Sequence, residues 1–160
     1  FIIGFNSCRP KSLGEVNLKN VDNDYVPSID PRYLSDERDI HDLYSTFDFI
    51  KKFSLNKNIT NIIKSPVNID PIKLSDNELL DHFKSNATTI YHPCGTCRMS
   101  KEVNTGVVSE KLKVHGLDNL WVVDASIMPN ITSGNIYAPV MMLSHLSSKI
   151  IIEDLKQQYQ

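Results

Sequence analysis

The chain has 160 residues, 41% of them hydrophobic and 22% charged, with a formal net charge of −2. These totals fit one globular domain or a large piece of a bigger protein and exclude wholesale disorder. No basic field favours nucleic acid or an anionic membrane, and no apolar run reaches the roughly 18 residues of a spanning helix. The chain opens on "FIIGFNSCRP", without an initiator Met or a charged segment ahead of an apolar one. The expectation is a chain that starts inside a longer protein, with no secretory signal at its front.

Residues 1–20 read as two short strands around the turn "RPKSLG", which Pro10 and Gly14 punctuate. "YVPSIDPRYL" is extended and broken by prolines. Ser35 is the expected N-cap of an amphipathic helix over 36–54, where Ile40, Leu43, Tyr44, Phe47, Ile50 and Phe53 recur at helical spacing. Ser75 and Glu78, three positions apart, make a capping box that opens a second helix over 76–85. "TTIYHP" predicts a short strand that stops at Pro93.

"LWVVDAS", residues 120–126, reads as an apolar strand covered on both faces, as in a parallel sheet. After the loop "PNITSGN" comes a long helix from about Ala138 to Gln157. Val140, Met141, Leu143, Leu146, Ile150, Ile151 and Leu155 lie along its expected buried side. Strand, loop and helix are half of a βαβ unit whose partner strands do not occur in this chain. The element is expected to complete a sheet built by other sequence.

The stretch "TTIYHPCGTCRMS", 88–100, concentrates the chemistry. Cys94 and Cys97 have the C-x-x-C spacing of a zinc ribbon or a redox dithiol. A structural zinc needs four ligands, and only His92 and His115 stand nearby as further candidates. The favoured reading is two small, half-buried residues in a tight loop, the common fate of a free Cys. No metal is assigned. With Cys8 the count is three, too few and too odd for a disulfide framework. Asn58, Asn86 and Asn130 each open an N-x-T sequon. Such triplets also arise by chance in an Asn-rich chain, and they lean toward a secreted parent. Taken alone, His92 reads as a structural histidine beside a turn. Its neighbours change that reading.

"YHPCGTCRMS", followed by "GVVSEKLKVHGLDNLWVVDASIMPNITSGNIYAPVMML", resembles the C-terminal part of the glucose–methanol–choline (GMC) oxidoreductases, which are FAD-dependent alcohol oxidases and dehydrogenases. "RPKSLGEVNLKN" and then "PSIDPRYLSDERD" resemble the start of that domain. The resemblance covers nearly the whole chain and is thinnest between about 54 and 85. The Asn in "SGN" is similar to the glucose dehydrogenase and choline dehydrogenase branch rather than to the branch with a second His there.

The resemblance implies an α+β fold: a mixed or antiparallel sheet with covering helices, plus a terminal strand and helix that complete a Rossmann-like FAD domain absent from this chain. It implies a substrate-binding domain over 1–115 and a return to the FAD-binding domain over 116–160. The implied substrate is a small alcohol or sugar, oxidised by proton abstraction and hydride transfer to flavin N5, with a quinone or oxygen as electron acceptor. His92 is the implied base, since imidazole titrates near neutrality. Asn135 matches the second catalytic position, where an amide hydrogen-bonds the substrate oxygen but takes no proton. Ile136 and Tyr137 would contact the cofactor at the N-terminus of the last helix, and Asp124 and Ala125 match the cofactor-contacting turn. Each has a plainer competitor: Asp124 as a turn cap, Asn135 as a helix cap, Tyr137 as packing. His41, His82, His115 and His145 read as structure or solvent.

The six glycines, at 4, 14, 95, 106, 116 and 134, never form the G-x-G-x-x-G that cradles a pyrophosphate. The chain is therefore expected to need an N-terminal FAD-binding domain and to be inactive alone. Two rivals stand beside this reading. One is a non-enzymatic remnant or interaction domain. The other is a small zinc or redox-thiol protein built on Cys94 and Cys97.

Overall fold

The structure, a computed structural model, describes residues 2–21 and 24–158. They fall into two compact units. Residues 2–7, 11–14 and 31–89 make the first; residues 8–10, 15–21, 24–30 and 90–158 make the second. Together they show an α+β fold, a small antiparallel sheet with helices.

The first unit is helical: α1 (Glu37–Ser54), α2 (Lys57–Thr60) and α3 (Asp76–Asn86). The N-cap of α1 is Asp36, not Ser35. Its carboxylate accepts from the Arg38 amide at 2.9 Å and grips the Arg38 guanidinium at 2.6 Å. The hydrogen bond from that guanidinium holds the Asp36 carboxyl down at about 2. The expected capping box opens α3: Ser75 and Glu78 each accept the other's backbone N–H. Leu43 and Phe47 of α1 bury against Leu79 and Leu80 of α3. Each such side chain contributes roughly 1.5–3 kcal/mol when fully buried. Phe5 stacks on Phe83 at 5.3 Å and meets Phe47 edge-on at 6.2 Å, so Phe5 closes this core.

In the second unit β1 (Glu15–Val21) pairs antiparallel with β2 (Asp24–Asp30), Glu15 opposite Asp30 and Val21 opposite Asp24. The strands thus lie later than the expected pair around "RPKSLG". The amides of Lys11 and Ser12 are engaged by the Asp39 carboxylate at 2.7 and 2.8 Å, which leaves no ladder to form there. The register places Val16 opposite Ile29 and Leu18 opposite Pro27. This gives the hairpin one apolar face, and Leu18 and Ile29 are both 71% exposed on it.

The core of this unit is Val108, Leu112 and Ile127, flanked by Met99, Val114, Trp121, Val122, Val123 and Leu143. Two further expected strands are absent. Residues 88–93 are irregular. Residues 120–124 make one antiparallel bridge, Trp121 with Lys113, before a 3-10 turn at Ala125–Ile127. A strand needs a neighbour along its length, and among the described residues this run has one only over 112–114, where the Val114 amide donates to the Leu120 carbonyl at 2.9 Å and the Val122 amide to the Leu112 carbonyl at 3.1 Å.

The last helix, α4 (Tyr137–Gln158), is present as expected, extended by one residue at each end. Its burial differs: Leu143 reaches the core, whereas Met141 and Leu146 are exposed. The buried residue is Ser147, whose hydroxyl donates to the Leu143 carbonyl at 2.6 Å. No helix among the described residues is long and apolar enough to cross a membrane.

Candidate active site

The loop that carries His92 is stitched by its backbone to the turn after Asp124. Gly95 takes φ +90°, a left-handed conformation that favours glycine. The Arg98 amide closes the turn onto the Gly95 carbonyl at 3.2 Å. Beyond it the amides of Cys97 and Met99 donate to the Ser126 and Ile127 carbonyls at 2.9 and 2.8 Å. On the other side the Val107 amide donates to Arg98 and the Ser100 amide to Val108, each at 2.9 Å. Gly106 permits that approach: a Cβ there would lie 2.5 Å from Ser100 Cβ and 2.7 Å from the Arg98 carbonyl oxygen. This glycine opens the "GVV" of the motif set, but its reason is a tertiary contact that the motif does not state.

His92 is half-buried, and its Nδ1 lies 3.0 Å from the Tyr91 carbonyl oxygen. A carbonyl only accepts, so Nδ1 carries the proton and the neutral ring keeps its lone pair on Nε2. The Tyr91 backbone that provides this carbonyl sits at φ +61°, sparsely populated for a non-glycine residue. His115 shows the opposite tautomer: its Nε2 donates to the Ser100 carbonyl at 3.0 Å. This bond ties His115 to the far side of the loop.

Asp124 caps the 3-10 turn. Its Oδ1 accepts from the Ser126 amide at 2.8 Å and from the Ser126 hydroxyl. It thereby holds Ala125 and the carbonyls that receive the His92 loop. Asn135 is exposed, and α4 begins two residues later at Tyr137, which leaves the cap position to Ile136. Pro139 has no N–H, and the Val140 amide donates to the Ile136 carbonyl at 2.9 Å. The amides of Tyr137 and Ala138 thus form the open first turn of α4. His92, Asp124, Ala125, Asn135, Ile136 and Tyr137 all belong to the second unit.

The thiols have a different character. Burial pushes the Cys94 thiol above its ordinary range, with Arg98 opposing in part. A redox-active cysteine needs the reverse. Cys97 packs against the Val108 core. Among the described residues, no group of three His, Cys, Asp or Glu side chains could hold a metal ion.

The GMC oxidoreductase sequence profile matches residues 10–144. The chain is 40% identical over 143 residues to the alcohol dehydrogenase [acceptor] of Pseudomonas putida, covering 89% of this chain and 26% of that protein. It is 35% identical over 138 residues to the oxygen-dependent choline dehydrogenase of Chromohalobacter salexigens, covering 86% and 25%. Its fold matches the R554A variant of the formate oxidase of Aspergillus oryzae RIB40 with a TM-score of 0.81 and 30% identity, over 94% of this chain and 26% of that one. The chain spans about a quarter of the length of these relatives. The chain belongs to the GMC oxidoreductases, a family of FAD-dependent enzymes acting on CH–OH donors, and corresponds to their C-terminal domain.

Proposed function

We propose that this chain is the C-terminal part of an FAD-dependent oxidoreductase that oxidises a small alcohol or sugar. His92 takes the hydroxyl proton, and the Asn135 amide holds the substrate oxygen. The observation that carries this reading is the Nδ1 contact of His92 with the Tyr91 carbonyl, which leaves Nε2 as the proton acceptor. A base oriented in this way contributes about 10²–10⁴-fold to rate.

The residues present fit one side of FAD. The open amides of Tyr137 and Ala138 offer partial positive charge to an electron-rich ring. Asp124 and Ala125 end the apolar run on a capped turn suited to a cofactor hydroxyl or amide. A pyrophosphate cradle must come from another segment, since the glycines here form none. Bound FAD would supply the hydride acceptor, N5. The proposed division assigns 1–115 to the substrate-binding domain and 116–160 to the return into the FAD-binding domain. The uncovered apolar face of the β1–β2 hairpin fits a chain that needs further sequence to bury it, because two strands alone are marginal in water.

The test is alcohol- and sugar-dependent reduction of an artificial electron acceptor by the full-length protein and by this chain alone. Turnover by the full-length protein only, lost at least about 100-fold in His92→Ala with FAD content unchanged, is the expected result. Undiminished turnover in His92→Ala refutes the assignment of the base.

A further inference from the structure

The segment 129–135 lies between the Ala125–Ile127 turn and α4, and no backbone–backbone hydrogen bond is described for it. Gly134 stands at φ +109°, and a Cβ there would touch nothing within 4 Å. Position 134 itself therefore offers no packing that would hold the turn delivering Asn135. One side chain reaches it from far away in sequence: Arg9 Nε donates to Ser133 Oγ at 3.0 Å, across 124 positions. Residues 8–10 belong to the same unit as the turn, while residues 2–7 and 11–14 on either side of them do not. Arg9 is thus placed in that unit beside a turn with no backbone–backbone hydrogen bond of its own among the described residues.

We propose that Arg9 is a positioning residue, whose guanidinium fixes the Ser133–Gly134–Asn135 turn and with it the direction of the Asn135 amide. The assignment rests on the proposed contact of Asn135 with the substrate oxygen. An arginine suits the task, because its planar guanidinium loses less freedom per hydrogen bond than an ammonium on a flexible stem. Displacement of an oriented group by about 1 Å can cost on the order of 100-fold in rate.

The experiment compares Arg9→Ala, Ser133→Ala, the double variant, Arg9→Lys and Asn135→Ala in the full-length protein loaded with FAD. Each is read by kcat, KM for its best alcohol or sugar, and flavin absorbance. Arg9→Ala and Ser133→Ala are each expected to lower kcat about 5- to 20-fold with KM and flavin content little changed. The double variant should be no worse than Arg9→Ala, because each single change already removes the Arg9–Ser133 contact. Arg9→Lys should recover part of the rate. Additive losses, or a fall in flavin content that matches the fall in kcat, overturn the proposal. If Asn135→Ala lowers kcat and Arg9→Ala does not, the positioning role fails while the site stands. If Asn135→Ala leaves kcat unchanged, the assignment of Asn135 fails and the role of Arg9 falls with it.

Discussion

The Cys97 amide donates to the Ser126 carbonyl at 2.9 Å, and this bond fastens the His92 loop to the 3-10 turn that Asp124 caps. Asp124 therefore acts on the loop through the turn. Asp124→Ala removes the acceptor for the Ser126 amide and hydroxyl. It is expected to cost about 1 kcal/mol. Asp124→Asn, which still caps, should recover most of that. Thermal melting of the full-length protein measures both, and equal losses in the two variants would show that the cap is not what matters.

Gly106→Ala is expected to be among the most damaging small substitutions in the second unit. The new methyl would meet the Arg98 carbonyl oxygen at 2.7 Å and the Ser100 amide nitrogen at 2.8 Å, and neither backbone atom can swing aside. Either the loop parts from Val107 and Val108 or its hydrogen bonds stretch. A loss of about 1–3 kcal/mol follows, comparable to overpacking in a core. Denaturant unfolding checks it. Gly4→Ala, where a Cβ meets nothing within 4 Å, is the neutral control.

The helices were legible because their signals are local. The periodicity from Ile40 to Phe53 and the Ser75–Glu78 box each sit inside one element. The strands were not, because pairing is decided between segments. Nothing in "LWVVDAS" states that its neighbour is only a short run at 112–114, and nothing in "RPKSLG" states that Asp39 takes its amides. His92, Asp124 and Asn135 were legible as candidates from an ordered set of motifs. The His92 tautomer, the close approach at Gly106 and the Arg9–Ser133 bond were not, since each joins atoms that only the folded backbone brings together.

The two loop cysteines should prove chemically quiet. Alkylation needs the thiolate, and burial raises the Cys94 thiol against the smaller opposing pull of Arg98. At pH 8 iodoacetamide should label the exposed Cys8 well before Cys94. The gap should narrow as pH rises further. Mass spectrometry of a labelling time course reads this directly, and Cys94 labelled first would revive a reactive-thiol role. Replacing both loop cysteines with Ser should leave alcohol turnover within a few-fold, with the larger stability cost, about 1 kcal/mol, at Cys97 where the thiol packs on the Val108 core.

Asp39 should make the first unit sensitive to acid. It is only 4% exposed, and burial alone would raise its carboxyl. The Ser12 hydroxyl and the Lys11 and Ser12 amides outweigh that and hold it below the usual carboxylate range. A carboxyl depressed in the folded state binds fewer protons there than in the unfolded chain, so stability rises with pH across this window. The contribution is complete above the ordinary carboxylate value of about 4 and fades as pH falls through the lower folded value. Asp39→Asn presents an NH₂ donor to a cluster of donors. It is expected to cost about 2 kcal/mol near neutrality and to flatten the pH dependence of stability below about pH 4. Melting temperatures of wild type and variant between pH 3 and pH 7 make the comparison. Parallel curves would mean that Asp39 contributes through packing alone.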